Sequence, residues 1–488
     1  MKKFSLLFFI VFVQCYSANA QFWSLTGNAS TGYNNFIGTT NTLYLGFRVN
    51  NRPSGMMDSS SRSTFFGFGA FSSGIAESLS NNTGFGHLVM VHTHGGGNTA
   101  VGAFTLTNNT DGGNNTAIGV SCMTSNIGGT ANTAVGSGTM YNNTTGDDNS
   151  AVGEGALAAN TIGSSNSALG DYALRYNISG GYNSSVGGYS MYSNTSGGYN
   201  NVLGYEALYN NTTGSSNTAI GNFAMVNSTT GIANSSVGGY AMASNTTGTY
   251  NTGTGYASLY YTTASYYNTA MGYNSGGSYN HGWNNTFLGA NTRTNGANYY
   301  NVIAIGQDVT CTGVNQVRIG NTATSSIGGY AYWTNFSDGR YKKDVKEDVK
   351  GLEFIMQLRP VTYHLDVAGI NKKLGRPKDM NGKEIEADAN TKKSWMEKEQ
   401  VVTSGFIAQE VETAAKKVGY DFDAVDRPKN ENDFYGLRYA EFVVPLVKGM
   451  QEQQQQIAKQ QEQIDLLKKE IDLLKEQNKI LMGVTKTN

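Results

Sequence analysis

The feature that most constrains this chain is a repeat of seventeen residues through its middle. Each repeat contains a short unit such as "NTAVG", "NSALG" or "NTAIG", often followed by a second unit such as "GEGALAANTIGSSN". The consensus is N-[TS]-A-[VIL]-G-x-x-A-[LM]-x-x-N-[TS]-[TS]-G-x-x. A fixed period of this kind indicates an array in which each unit packs against its neighbours. The glycines that set the period are Gly102, Gly119, Gly136, Gly153, Gly170, Gly187, Gly204, Gly221, Gly238, Gly255, Gly272, Gly289 and Gly306.

A single repeat carries too few large apolar side chains to fold alone. One aliphatic residue precedes the glycine and a Leu or Met stands four residues after it, as with Val152 and Leu157 or Ile220 and Met225. Two such side chains cannot offset the entropy of ordering one unit, so we expect each aliphatic to stack over its copy in the next coil. The Gly and Asn columns predict tight turns with left-handed backbone. We predict a parallel β-roll or β-solenoid, about 60 Å long for thirteen coils at the inter-strand spacing.

Charge divides the chain into two unlike parts. Residues 98–330 hold ten charged side chains and no lysine, whereas residues 331–488 hold 26 basic and 26 acidic ones. The net charge of −1 argues against a nucleic-acid or polybasic membrane partner. We therefore predict an N-terminal cap at 21–97, a shaft at 98–330 that closes with "NQVRIGNTATSS", and a separate unit after the charge boundary.

The first twenty residues have the pattern of a secretory signal peptide. Lys2 and Lys3 precede the apolar run "FSLLFFIVFV", and "ANA" stands just before Gln21. The run is too short to span a bilayer, and no later segment is apolar enough to do so. Cys15 suggests a lipoprotein, but Gln14 before it fits that signal poorly. We predict removal of residues 1–20 and a secreted or cell-surface protein without a membrane span.

Cysteines and histidines give little sign of a metal or cofactor. Cys122 and Cys311 lie too far apart to suggest a disulfide scaffold, and Cys122 occupies a column that holds alanine in other coils, which predicts a buried filler. His87, His92 and His94 are close in sequence, and the last two could point the same way on a strand. Since no Cys, Asp or Glu lies nearby, we predict a solvated loop there and neither metal nor cofactor.

Four sequence blocks after the charge boundary resemble a known family. In order they are "SDGRYKKDV", "GLEFIMQLRPVTYHL", "GFIAQEVE" and "YAEFVVPLVKGMQE". They are similar to the C-terminal intramolecular chaperone domain of phage tail spikes and fibres, the peptidase S74 family. The resemblance implies a small α+β domain at 334–446 that trimerises, folds the preceding fibre and cuts itself off before a serine. The upstream repeats resemble the head repeats of trimeric autotransporter adhesins, whose coils are typically shorter than seventeen residues.

The family motif S-D-x-R-x-K places a candidate site at the charge boundary. It maps onto Ser337, Asp338, Arg340 and Lys342. The resemblance implies that Ser337 is the nucleophile, that Lys342 is its base, and that the scissile bond is Phe336–Ser337. A lysine removes a proton only when neutral, and a cation such as Arg340 favours that state. Asp338 is expected to orient groups or polarise the peptide bond.

Two alternatives at this motif stay open from the residues alone. Lys343 is adjacent and also cationic, so spacing by itself does not exclude it as the base. Ser337 followed by Asp is also how many helices begin, which would make it an ordinary cap.

The local patterns after the boundary predict several elements. We expect an amphipathic helix around residues 352–358 with a strand after it, and a strand before a helix that places Ile407, Val411 and Ala415 on one face. Residues 369–400 are polar and predict an inserted loop.

A heptad pattern follows at 447–482 and predicts a coiled-coil helix. Its a positions are Met450, Ile457, Ile464, Ile471 and Asn478, and its d positions are Gln460, Leu467, Leu474 and Leu481. Ile at a with Leu at d favours two strands, whereas the fibre and the family resemblance favour three.

Together these patterns predict an exported homotrimeric fibre or adhesin-like surface protein that is made as a precursor. The C-terminal domain would align three chains and then cleave at Phe336–Ser337. Tyrosines in "SLYYTTASYYNTAMGY" could stack on a surface glycan or another ligand of a host or neighbouring cell. One alternative is a full-length surface adhesin that does not cleave. The other is a polysaccharide-degrading spike, against which the scattered carboxylates of the shaft argue.

Overall fold

A computed structural model describes residues 37–71, 80–277 and 282–484, so the predicted signal peptide lies outside the described residues. The chain forms a β-solenoid, then a small α/β region, then one long helix. This confirms the predicted fold class.

One sheet runs the length of the solenoid. Its first three strands pair antiparallel, β1 with β2 and β2 with β3, and from β3 onward every strand pairs parallel with the next. The parallel stack therefore begins before residue 98, where the strict period starts. In the described part of the chain its eighteen strands are β1 (Leu45–Val49), β2 (Arg52–Asp58), β3 (Ser63–Phe66), β4 (Thr83–Phe85), β5 (Thr99–Val101), β6 (Thr116–Ile118), β7 (Thr133–Val135), β8 (Ser150–Val152), β9 (Ser167–Leu169), β10 (Ser184–Val186), β11 (Asn201–Leu203), β12 (Thr218–Ile220), β13 (Ser235–Val237), β14 (Thr252–Thr254), β15 (Thr269–Met271), β16 (Thr286–Leu288), β18 (Ile303–Ile305) and β20 (Val317–Ile319).

Coils stack in register with their own copies. Ser150 pairs with Ser167 and Val152 with Leu169, each seventeen residues away. A second, two-stranded sheet joins β17 (Arg293–Thr294) to β19 (Thr310–Cys311) near the end of the shaft. The last strand of this sheet in the described residues, β20, pairs with β18 and lies within the predicted terminal coil at 315–326.

The shaft core holds only one of the two aliphatic columns. Leu157 is fully buried, as predicted, but Val152 is 39% exposed and Ile220 is 39% exposed. Val152 does stack beside Leu169, its copy in the next coil, as predicted, but on the outer face of the sheet. Alternate residues of a strand point to opposite faces, and the middle residue of each strand, such as Ala151, takes the inward position.

The asparagine columns are also inside the shaft, not at left-handed turns, which corrects that part of the prediction. Asn149 Nδ2 donates to Asn132 Oδ1 at 3.1 Å and to the Gly163 carbonyl at 2.9 Å. The same bonds recur from coil to coil and form two buried amide ladders. The first contains Asn98, Asn115, Asn132, Asn149, Asn166, Asn183, Asn200, Asn217, Asn234, Asn251, Asn268 and Asn285, and the second contains Asn109, Asn126, Asn143, Asn160, Asn177, Asn194 and Asn211.

The glycine column behaves as predicted. Gly153 has φ 135°, and a Cβ there would clash with the Gly170 carbonyl oxygen of the next coil. Glycine is required because coils approach backbone to backbone at this column.

The region after the shaft contains two 3-10 helices, at Gly339–Tyr341 and Tyr439–Phe442, and the remaining α-helices and strands. These α-helices and strands are α1 (Leu352–Ile355), β21 (Val361–Tyr363), α2 (Val367–Leu374), α3 (Ala389–Glu399), β22 (Thr403–Gly405), α4 (Ala408–Lys417), β23 (Val425–Asp426), β24 (Gly436–Leu437) and α5 (Val443–Val484). The predicted helix and strand near 352–363 and the predicted strand and helix near 403–417 are confirmed. Val411 and Ala415 are buried on α4, but Ile407 is its N-cap and is exposed. The predicted loop at 369–400 contains α3 and most of α2.

The C-terminal region combines an aromatic core with a long exposed helix. In the core, Phe354 is in edge contact with Phe422 at 4.9 Å between ring centroids. Helix α5 covers the whole predicted heptad, and its apolar seam is exposed, with Ile457 and Leu467 both about half exposed.

Candidate active site

Along the chain, the candidate site lies between the last strand of the shaft and the first residue of the aromatic core, Phe354. A 3-10 helix at Gly339–Tyr341 follows the charge boundary. Its N-cap is Asp338, whose carboxylate accepts a hydrogen bond from the Arg340 backbone N–H. Ser337 is therefore not the capping residue of this helix. The single turn reverses the chain, so residues on either side of it come close in space.

This turn brings Ser337 and Lys342 together. Lys342 is the C-cap of the 3-10 helix, with its backbone N–H donating to the Gly339 carbonyl. Its side chain then extends back to Ser337, where Nζ lies 2.9 Å from Oγ. Of the two adjacent lysines, it is Lys342 whose ammonium makes this contact. The distance is within the range that a nucleophile and its base need for proton transfer.

The two supporting residues form an ion pair with each other. Arg340 Nη2 lies 2.6 Å from Asp338 Oδ2, and Arg340 Nε donates to both carboxylate oxygens. The hydrogen bonds from the Arg340 side chain, and next its backbone N–H, lower the pKa of Asp338. The same side-chain contact raises the pKa of Arg340. In this arrangement Asp338 compensates the charge of Arg340, so Arg340 does not act on Lys342 as a free cation.

The pair formed by Ser337 and Lys342, here called the dyad, is exposed to water in the single chain. Ser337 and Lys342 are both exposed, and so is Phe336, whose ring is 5.7 Å from that of Tyr341 between centroids. A hydrated ammonium is a poor base, and burial is what shifts a lysine toward its neutral form. The geometry can therefore support attack by Ser337 once water is excluded from the pair.

The other candidate residues lie elsewhere and are not brought into a site. Among the described residues, no group of three or more His, Cys, Asp or Glu could hold a metal ion. His87 packs between Phe68 and Phe104 on the surface of the shaft, and neither His92 nor His94 lies on a strand. Cys122 is buried as predicted, and burial raises the pKa of its thiol to about 12.

Sequence reasoning missed a junction between the end of the shaft and the C-terminal region. The carboxylate of Asp433 is buried, accepts from Thr312 Oγ1 and the Lys429 backbone N–H, and lies 3.5 Å from Arg318. Asn430 Nδ2 donates to the Thr312 carbonyl at 2.7 Å. No motif marks these residues, because each is an ordinary polar residue until folding places it on the last coils.

The segment predicted to be a loop is a second part of the same junction. The Asp379 carbonyl accepts from Tyr261 Oη at 2.6 Å, and the Gly375 carbonyl accepts from Arg293 Nη2 at 2.6 Å. A cleft of about 1280 Å³ lies between this segment and the shaft. The C-terminal region thus contacts the shaft along several of its last coils.

In the portion of the chain that the structure describes, no helix has both the length and the apolar character needed to cross a membrane.

Comparison with known proteins places one family on this part of the chain. Residues 337–420 match the family model Peptidase_S74, described as chaperone of endosialidase. The match begins at Ser337, the first residue of the candidate dyad. No curated protein and no solved structure matches the chain.

Proposed function

We propose that this chain, whose residues 337–420 carry a Peptidase_S74 chaperone domain, is an exported fibre precursor that assembles as a homotrimer and cuts itself between Phe336 and Ser337. The observation that carries the proposal is the 2.9 Å contact between Ser337 Oγ and Lys342 Nζ at the first turn of the matched region. The product would be a shaft ending at Phe336 and a released C-terminal region.

The cleavage follows a balanced acyl transfer. Ser337 Oγ loses its proton to Lys342 and attacks the carbonyl carbon of Phe336. The C–N bond breaks, the amine takes a proton from Lys342, and an ester joins Phe336 to the serine oxygen. Water then hydrolyses the ester, which leaves a carboxylate on Phe336 and restores the hydroxyl. Each chain reacts once, because the reaction destroys its own substrate.

Assembly before cleavage is supported by the exposure of the dyad. Lys342 is exposed to water in the single chain. A partner chain packed over Ser337 and Lys342 would remove that water. Cleavage would then follow trimer formation and release the chaperone domain only after it has acted.

Trimerisation is supported by an apolar stripe along the sheet face of the shaft. In most coils the residue before the glycine is apolar and points outward, and ten of these side chains are 36% to 52% exposed. A stripe of this length on a monomer marks an interaction surface, and three identical chains in register would cover it. Its members include Val101, Ile118, Val152, Leu169, Leu203, Ile220, Val237, Met271, Leu288 and Ile319.

Export is supported by the signal-peptide pattern of residues 1–20.

The proposed ligand of the shaft is a surface glycan or another ligand on a host or neighbouring cell. This is supported by the exposed tyrosine columns of the shaft, among them Tyr182 and Tyr199, because tyrosine rings can stack on such a ligand.

The test is the intact mass of the expressed full chain, with N-terminal sequencing of each fragment. Wild type should give a fragment that starts at Ser337, whereas Ser337→Ala and Lys342→Ala should stay at precursor length. Lys343→Ala is the matched control and should cleave like wild type. Equal processing of Lys342→Ala and wild type would exclude the dyad, and an uncut wild type would favour the full-length adhesin.

Assembly is tested separately by sedimentation of the same proteins. Leu203→Glu lies on the stripe and should shift the trimer toward monomer. Ile162→Glu is the control, because Ile162 is as exposed as Leu203 but lies off the stripe. A trimer that tolerates both changes equally would remove the stripe from the interface.

A further inference from the structure

Three side chains at the end of the shaft surround the carboxylate of Asp433, which belongs to the C-terminal region. Thr312 Oγ1 donates to its Oδ1, Gln316 Nε2 lies 3.4 Å from the same oxygen, and Arg318 Nη2 lies 3.5 Å from it. Asp433 is only 4% exposed, so this carboxylate is seated as a bound ligand would be. The group formed by Thr312, Gln316 and Arg318 is here called the end pocket.

The shaft orients the end pocket through hydrogen bonds of its own. Gln316 Oε1 accepts from the backbone N–H of Thr312 at 2.9 Å and of Gly313 at 3.1 Å, which turns Nε2 toward Asp433. Arg318 Nη2 donates to Thr312 Oγ1 at 2.7 Å, so the hydroxyl proton is left to donate to the carboxylate. The donors of the pocket are therefore positioned without help from the C-terminal region.

Positive charge is rare in the shaft, and the end pocket holds some of it. Residues 98–330 contain only three basic residues, Arg175, Arg293 and Arg318. Among the ion pairs of the described residues, Arg318 pairs with Asp433. Loss of residues 337–488 would leave the guanidinium and the Thr312 hydroxyl without this acceptor. A carboxylate fits such donors best, because charge-assisted hydrogen bonds are stronger than neutral ones.

We propose that the end pocket is a carboxylate-binding site, which Asp433 fills in the precursor and a second carboxylate fills after release. This inference rests on the proposed function, because Asp433 leaves only with residues 337–488.

The second carboxylate has two sources. Cleavage creates one on the shaft itself, at Phe336. The described residues 325–336 are exposed and contain neither strand nor helix, and the chain from Arg318 to Phe336 spans up to about 60 Å when extended, so this end can reach the pocket. The other source is the carboxylate of an external acidic molecule.

The test compares released shafts that differ in the charge of their last group. The full chain carries Ser337→Ala and a transpeptidase recognition sequence inserted after Phe336, so release does not depend on self-cleavage. Cutting in water leaves a carboxylate at the end of the shaft, whereas cutting with glycinamide leaves a neutral amide. Hydrogen exchange of the peptide that covers 310–320 is then measured in sodium chloride.

The shaft that ends in a carboxylate should exchange about tenfold or more slowly than the shaft that ends in an amide. Thr312→Val and Arg318→Gln should each remove this difference. Arg175→Gln is the matched control, because Arg175 lies over Tyr172 on an earlier coil, and it should keep the difference.

Sodium acetate at the same ionic strength distinguishes the two sources. If both ends exchange equally and acetate slows both, the pocket takes an external carboxylate, and Arg318→Gln should abolish the effect of acetate.

Equal exchange of the two ends without any effect of acetate would overturn the inference, and so would a difference that survives Thr312→Val and Arg318→Gln. A C-terminal region that stays bound to the cut shaft would also overturn it, since Asp433 would never leave. Failure of the wild-type chain to cleave is a different result, because it refutes self-cleavage but leaves the transpeptidase-released shaft as the test of the end pocket.

Discussion

The shaft and the C-terminal region are stabilised by contacts of opposite kinds. In the shaft a side chain meets its own copy seventeen residues away, as Asn160 meets Asn143 at 2.8 Å. In the C-terminal region partners are unlike and distant, as Arg359 meets Glu410 across 51 residues. A shift of the shaft by one coil leaves nearly the same local contacts, so the repeat alone does not set the register between chains. The irregular region has one register only, which is the property that an assembly device needs.

The largest expected difference in the free energy of unfolding comes from a Gly→Ala substitution made once in each region. Gly153→Ala drives a Cβ into the backbone of the next coil at φ 135°, while Gly419→Ala adds one at φ 64° with nothing within 4 Å. We expect the first to cost more than about 4 kcal/mol and the second about 1–2 kcal/mol. Region-resolved hydrogen exchange measures both. Similar losses at the two sites would show that coils do not approach as closely as described.

A smaller effect is expected at the junction, where the two regions meet. Asp433→Ala removes the acceptor of Thr312 Oγ1 and of the Lys429 amide and the ion-pair partner of Arg318, at a cost of roughly 2–3 kcal/mol in the free energy of unfolding. Faster exchange should appear in the last coils and the 429–433 loop together. Asp426→Ala removes a half-exposed ion pair with Arg438 and serves as the control. If Asp433→Ala loosened only one side, the junction would not couple the regions.

A stabilising change of about 1–2 kcal/mol is expected where the second amide ladder is interrupted. Ser228 stands in that column, and the buried Asn211 Oδ1, Ser228 Oγ and Asn245 Oδ1 have no hydrogen-bond partner. Ser228→Asn should restore the ladder and raise the thermal midpoint. Asn194→Ser should create the same gap two coils earlier and lower it. The two substitutions should shift the thermal midpoint in opposite directions. If both shifted it in the same direction, the ladder would not stabilise the shaft.

The smallest expected effect is a loss of stability at low pH that occurs in the C-terminal region and not in the shaft. Hydrogen bonds from Lys416, then Arg427, lower the pKa of Glu412 from 4.5 to about 2. A lowered folded-state pKa gives stability above pH 4.5 that is lost as the pH falls toward 2. Glu412→Gln should flatten the unfolding curve of the C-terminal region in that window. Glu397→Gln, on the exposed surface of α3, is the control and should leave the pH dependence unchanged. A shaft that lost stability over the same window would contradict this difference.

Much of the fold follows from short-range pattern. The spacing of the glycines predicts the parallel stack, and the heptad predicts α5, because both depend on periods that can be counted along the chain. The direction of Val152 is harder to predict, because one aliphatic per strand can face either side until the neighbouring alanine is seen to fill the interior. The asparagine columns predict turns although they form ladders, since Asn is common in both settings.

In the candidate site, too, some features follow from the sequence and others only from folding. The motif predicts Ser337 and Lys342, and the turn capped by Asp338 supplies the contact between them. The pairing of Arg340 with Asp338 depends on side-chain geometry that the spacing does not specify. Asp433 has no signal at all, because its partner Thr312 on the shaft is 121 residues away.

Sequence by itself determined the repeat, the boundary at Ser337 and the heptad, because each depends on residues close together along the chain. Only the tertiary structure decided which aliphatic column faces out, how Lys342 reaches Ser337, and that the C-terminal region covers the last coils. These depend on contacts between residues that meet only after folding.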